Sequence, residues 1–215
     1  MLDIDTIFFD VDGTLVDAKR DISAAMNAAL REMSLPERPH EEIISYVGSG
    51  VGYLVGRSIG SDDPALVERG VRLYSEHYIR HPADHAFLYP HVTETLDYFS
   101  GKTKYILTNR YRSFTVPLLE SLGLAHYFAG VISGDDETCV KPSARIFECP
   151  VTKPIFDRDQ SIVVGDMDVD IQVGKNAGMK TCWVTYGLGK REDVEKLRPD
   201  YTISDIAELR QIIKR

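Results

Sequence analysis

The stretch Ile4-Asp5-Thr6-Ile7-Phe8-Phe9-Asp10-Val11-Asp12-Gly13-Thr14 decides how the rest of the chain is read. Its first six residues are mostly apolar and few enough for one buried strand. Asp10 and Asp12 then stand two residues apart, where that strand meets a glycine turn. Like charges this close resist joint ionisation unless a cation or a proton separates them. The spacing points to a bound metal, a shared proton, or both. The ordinary alternative is an Asp-Gly turn with two solvated aspartates.

Beyond this stretch the pattern turns helical. Ile22, Ala25, Met26, Ala29 and Met33 recur at helical spacing, with Asp21 placed to cap them. Asp63-Pro64 reads as a helix start, followed by the stripe Val67, Val71, Tyr74, Tyr78 and closed by Pro82. After Pro90 the rhythm changes. Residues 104–108, 130–133, 161–165 and 181–185 read as strands, and Val169, Val173 and Ala177 as a helix ended by Gly178. Strands alternating with helices predict a parallel sheet covered on both faces. The expected fold is therefore α/β: a three-layer Rossmann-like core over residues 1–16 and 83–215, with an inserted all-helical cap domain over 17–82. Ligands of such open sheets gather at the carboxyl ends of the strands. Asp10, Thr108-Asn109, Lys141 and Gly165-Asp166 all fall at or just beyond such ends.

At 43% hydrophobic and 27% charged, the 215 residues have the composition of an ordered domain, long enough for one core with a small inserted module. The net charge of -8 argues against a nucleic acid polymer as partner, although a phosphate can still sit in a locally positive site. No apolar run approaches the roughly 18 residues of a membrane span, and the first residues read as strand rather than leader, so a cytoplasmic protein without membrane contact is expected. Three cysteines, Cys139, Cys149 and Cys182, with no Cys-x-x-Cys spacing, fit a reducing compartment. Cys139 is expected to be a buried small apolar residue. No patch demands an oligomer beyond a monomer or homodimer.

Asp10-Val11-Asp12-Gly13-Thr14-Leu15, Thr108-Asn109, Lys141-Pro142 and Gly165-Asp166 through Asp170, in this order, resemble the four motifs of the haloacid dehalogenase superfamily. The helical insertion resembles the cap of its phosphoglycolate phosphatase-like branch. The resemblance implies a magnesium-dependent phosphatase acting on a small phosphorylated substrate, 2-phosphoglycolate being the best single choice. Asp10 would be the nucleophile and form an aspartyl-phosphate, and Asp12 the general acid and base. Mg2+ would be held by the Asp10 side chain, the Asp12 backbone carbonyl, Asp166 and Asp170. Lys141 and the Thr108 hydroxyl would meet the phosphoryl oxygens, together with backbone groups of Val11, Asp12 and Asn109. Asp168 is read as a helix cap. Arg110 stands where many relatives carry lysine, and its role is open. A phosphomutase, a pyrophosphatase or nucleotidase of the same superfamily, and a non-catalytic phosphate-binding module are the alternatives.

In the insertion, Val47-Gly48-Ser49-Gly50-Val51-Gly52 departs from a dinucleotide fingerprint at Tyr53 and resembles the glycine-containing cap loop of that branch, making Gly50 a candidate substrate contact. Arg57 is a candidate partner for a substrate carboxylate, against the reading of a plain surface arginine. His77, His81 and His85 recur every four residues, but Pro82 interrupts the helix a zinc pair would need, and a solvated edge is expected.

Overall fold

The computed structural model describes residues 1–135, 139–148 and 154–215. Strand β1 (Thr6–Phe9) is buried along its whole length, and its alternate side chains feed two separate cores. Ile7 and Phe9 belong to one. Phe8 belongs to the other, where its ring meets Tyr105, Phe147 and Phe156. Successive strand residues face opposite ways, so a central strand covered on both sides has to be apolar throughout. That is why an unbroken apolar run marks it in the sequence.

A tight loop follows, in which the Val11 carbonyl accepts from the N–H groups of Thr14, Leu15 and Val16. It delivers the chain to β2 (Val16–Asp17), which pairs antiparallel with β3 (Phe87–Leu88). Between these two short strands lie α1 (Lys19–Glu32), α2 (His40–Ile44), α3 (Val51–Ile59) and α4 (Pro64–Arg80). Asp63 caps α4 by accepting from the Ala65 N–H at 2.9 Å, and the helix stops before Pro82 as expected. Tyr74 and Tyr78 form the buried end of its apolar stripe.

Asp21 does not cap α1, contrary to the sequence reading. It sits inside the first turn, 3% exposed, and accepts from the backbone N–H groups of His85 (3.1 Å) and Ala86 (2.8 Å). Its carboxylate ties α1 to the chain returning towards β3. A short acceptor at a helix start serves either purpose, and spacing alone does not separate them.

The rest of the chain alternates: α5 (Val92–Tyr98), β4 (Thr103–Leu107), α6 (Arg112–Ser121), β5 (Gly130–Ile132), β6 (Ser161–Gly165), α7 (Asp168–Asn176), β7 (Lys180–Val184), α8 (Arg191–Lys196), β8 (Tyr201–Ile203) and α9 (Leu209–Ile212). The sheet order is β5-β4-β1-β6-β7-β8, with every neighbouring pair parallel. The α/β core with a parallel sheet is thus as expected, with β8 an added edge strand. Strand order runs outward from β1 in both directions, which opens a crevice at its carboxyl end. Phe9 is in register with Ile106 and Val164, so Asp10, Thr108 and Asp166 emerge side by side.

Cys182 in β7 is a buried free thiol, but Cys139 is disulfide-bonded. Cys139 is buried, as expected, but its disulfide runs against the reading of a reducing compartment, since a cysteine count does not tell a pair from separate thiols; Cys149 lies outside the described residues. No helix among the described residues is long and apolar enough to cross a membrane.

Candidate active site

Three carboxylates converge at the crevice. Asp10 follows β1, Asp166 follows β6, and Asp170 lies in the first turn of α7; one oxygen from each falls within 4.8 Å of the others, and all three are buried. Lys141 joins them. Its Nζ donates to Asp10 Oδ1 at 2.7 Å, to Asp170 Oδ1 at 2.6 Å and to the Leu107 carbonyl at 3.1 Å, which uses all three ammonium donors. Asp166 accepts from the Thr14 hydroxyl at 2.9 Å and the Leu188 N–H at 2.6 Å, while Trp183 Nε1 donates to its backbone carbonyl. Asp170 Oδ2 accepts from the Met167 N–H at 2.9 Å. The contact at the start of α7 therefore falls to Asp170 and not to Asp168, the first helical residue, which corrects the reading of Asp168 as a helix cap.

Burial pushes Asp10 up to about 7, against the pull of Lys141 and with the charge of Asp170 adding to the rise. Burial, then Asp170 and Asp10, raise Asp166 well above the ordinary carboxylate range. Burial opposes the charge of Lys141, but Asp10 and Asp170 outweigh it and hold the ammonium. Among the described residues, Asp10, Asp12, Asp166 and Asp170 face only Lys141 and Arg110, so the carboxylates there outnumber the cations by two. A hard divalent cation with oxygen ligands fits that donor set and that charge deficit.

Asp12 is fixed separately. Arg110 reaches it from the β4 end, with Nε to Oδ2 at 2.9 Å and Nη2 to Oδ1 at 3.1 Å, a two-pronged pairing that lysine lacks the geometry to make. Arg110 Nη1 donates to the Tyr78 hydroxyl on α4 at 2.6 Å. Thr108 is buried beside it and accepts the Arg110 N–H. The Asn109 carboxamide accepts from the Lys141 N–H (2.7 Å) and donates to the Lys141 carbonyl (3.0 Å) and the Gly48 carbonyl (2.9 Å), linking the lysine loop to the helical insertion. The backbone N–H groups of Val11, Asp12 and Asn109 enter no hydrogen bond among the described residues.

These groups open onto a cavity of about 50 Å3, lined on the other side by the insertion. Ile22, Val47, Val51 and Leu54 give it an apolar wall, and Gly48 and Gly50 approach with positive φ. Arg57 lies elsewhere, exposed, over the Tyr46 ring and in a separate cleft bounded by Tyr53 and Tyr111. His77, His81 and His85 each meet a different carboxylate, Glu32, Asp84 and Asp21, and do not converge.

The sequence matches the model of the haloacid dehalogenase-like hydrolases over residues 7–184. The chain belongs to the haloacid dehalogenase-like hydrolase family. Among curated relatives of this haloacid dehalogenase-like hydrolase is a phosphoglycolate phosphatase of Chromobacterium violaceum, 35% identical over 98% of this chain and 97% of its own. A phosphoglycolate phosphatase of Escherichia coli K12 is 32% identical over 96% of this chain and 91% of its own. Among solved structures, a predicted phosphoglycolate phosphatase from Haemophilus somnus 129PT superposes with a TM-score of 0.89 at 26% identity, covering 99% of both chains. Several residues that hold this haloacid dehalogenase-like hydrolase site together escape motif reading: Trp183 and Leu188 hold Asp166, and Tyr78 supports Arg110, all brought in by the fold alone. Thr14 and Asn109 lie within the motifs, and the structure adds what their side chains do: Thr14 holds Asp166 and Asn109 holds Lys141.

Proposed function

We propose that this haloacid dehalogenase-like hydrolase cleaves small phosphate monoesters, 2-phosphoglycolate first among them, through an aspartyl-phosphate on Asp10. The observation that carries the reading is the convergence of Asp10, Asp166 and Asp170 around Lys141, beside three uncommitted backbone N–H groups. The names of the relatives support the substrate.

Asp10, Asp166, Asp170 and the Asp12 backbone carbonyl would hold magnesium, which supplies the positive charge that lets an anionic carboxylate meet an anionic phosphate. Lys141 adds a second positive charge to the same oxygens. The N–H groups of Val11, Asp12 and Asn109, with the Thr108 hydroxyl, orient the phosphoryl group. An Asp10 oxygen attacks phosphorus, the ester P–O bond breaks, and the leaving alkoxide takes a proton from Asp12. Water then attacks the phosphorylated Asp10, Asp12 accepts its proton, and inorganic phosphate leaves. Residues 17–82 serve as a cap on the core formed by 1–16 and 83–215, excluding bulk water during transfer. The β2–β3 pair at the junction and the two-sided lining of the cavity support that division.

The test is magnesium-dependent phosphate release from a panel of small phosphate esters, pyrophosphate and nucleotides, with Asp10→Asn as control. Release by the parent chain, strongest for 2-phosphoglycolate, and a loss of at least about 1,000-fold in the variant are expected. Equal release by parent and variant, or no release from any small ester, overturns the reading.

A further inference from the structure

Within that reading, the cavity also shows which residues meet the end of the substrate remote from the phosphate. Its cap-side wall is apolar, and a desolvated carboxylate there needs a cation and a donor. Among the described residues, two cations line the cavity. Lys141 has no free donor, because Asp10, Asp170 and the Leu107 carbonyl take all three. Arg110, 7% exposed, spends three of its five N–H donors on Asp12 and Tyr78 and keeps two.

The hydroxyl of Tyr74 is the second element. Tyr74 is 3% exposed, lines the cavity from α4, and packs its ring against Tyr78 and Phe114. Its hydroxyl makes no hydrogen bond among the described residues and is not fully buried. Among the cap residues that line the cavity, Ile22, Val47, Gly48, Gly50, Val51, Leu54 and Tyr74, it is the sole polar side chain. The burial that raises Tyr74 above the ordinary phenol range, against the opposing charge of Arg110, keeps the hydroxyl a donor.

We infer that the Tyr74 hydroxyl and the free edge of Arg110 form the recognition point for a carboxylate carried by the substrate, so that this hydrolase selects phosphate esters of short hydroxy acids. Tyr74 donates its O–H to one carboxylate oxygen, and Arg110 donates its remaining N–H groups to the carboxylate. The tyrosine comes from the cap and the arginine from the core, so a carboxylate held between them also joins the two halves around the substrate. Arg57, exposed and in a different cleft, takes no part.

The experiment compares kcat/KM for 2-phosphoglycolate with that for ethyl phosphate, which is similar in length but lacks the carboxylate. The parent chain, Tyr74→Phe and Arg110→Lys are measured. The parent is expected to prefer the carboxylate substrate, and Tyr74→Phe to reduce that preference about tenfold, mainly through KM, because it removes one hydrogen bond to a charged group. Arg110→Lys lowers activity on both esters through Asp12 and lowers the preference as well. An unchanged preference in Tyr74→Phe, or equal losses on both esters, overturns the assignment and leaves Tyr74 a packing residue. If the parent releases phosphate from neither ester, the hydrolase reading fails first. Calorimetric binding of the two esters to parent and Tyr74→Phe then decides the inference: a carboxylate preference lost in the variant upholds it, and equal affinities overturn it.

Discussion

Asp166 owes its position to three glycines as well as to its own hydrogen bonds. A Cβ on Gly13 or Gly187 would overlap its carboxylate, and one on Gly189 its backbone carbonyl. Gly13 also has φ +87°, a conformation that L side chains rarely adopt. Because Thr14 and Leu188 already hold the carboxylate, it cannot swing aside for a new methyl group. Gly187→Ala is therefore expected to displace Asp166 and weaken magnesium binding about tenfold or more, read by calorimetric titration of the metal. Unaltered affinity would show that Asp166 is not a ligand or that its loop yields freely. At this scale the meeting of Asp10, Asp166 and Lys141 is legible, because all three follow strands of an open parallel sheet, whose carboxyl ends share one crevice. Gly187 is not, because its contribution is the absence of a side chain beside a residue 21 positions away.

Among the elements, what the sequence exposed depended on length. Helix α4 is readable from Asp63-Pro64 and a four-residue stripe over about three turns, and β1 and β6 from runs of buried apolar residues. The strands β2 and β3 span two residues each, too few for any periodicity to stand out, and the edge strand β8 (Tyr201-Thr202-Ile203) is half-exposed and lacks an apolar run. The link between β2–β3 and the insertion is therefore a tertiary matter, and Asp21 carries much of it. One buried carboxylate accepts two backbone N–H groups from 64 and 65 residues away. In Asp21→Asn the amide nitrogen has no acceptor where those donors point. The variant is expected to lose about 1.5–3 kcal/mol of stability, the range for hydrogen bonds to a charged group. Urea unfolding followed by circular dichroism measures it, and an unchanged midpoint would mean that the return segment is held by β2–β3 alone.

For the whole molecule, the acidic crevice couples folding to pH and metal with a definite sign. Asp10 and Asp166 are both raised in the folded chain, chiefly by burial, so the native state binds their protons more tightly than the unfolded state does. The stability this contributes is fully present below the ordinary carboxylate range and is lost as pH rises through the folded values, about 7 for Asp10. Asp200, where hydrogen bonds from Thr181 overcome burial, and Glu208, held by the Ser204 N–H, are lowered and contribute the opposite slope at more acid pH. A melting temperature against pH mixes these groups. The difference between melts with magnesium and with a chelator isolates the crevice, because a divalent cation replaces the protons there and touches neither Asp200 nor Glu208. The increment in Tm on adding magnesium is thus expected to be small near pH 5 and to grow towards pH 8. Asp166→Asn should flatten that growth by removing one of the two raised carboxylates, whereas Asp200→Asn should leave it in place. A magnesium increment that stayed constant across this range would mean that proton and metal do not compete for the same oxygens, and the site built from Asp10 and Asp166 would have to be abandoned.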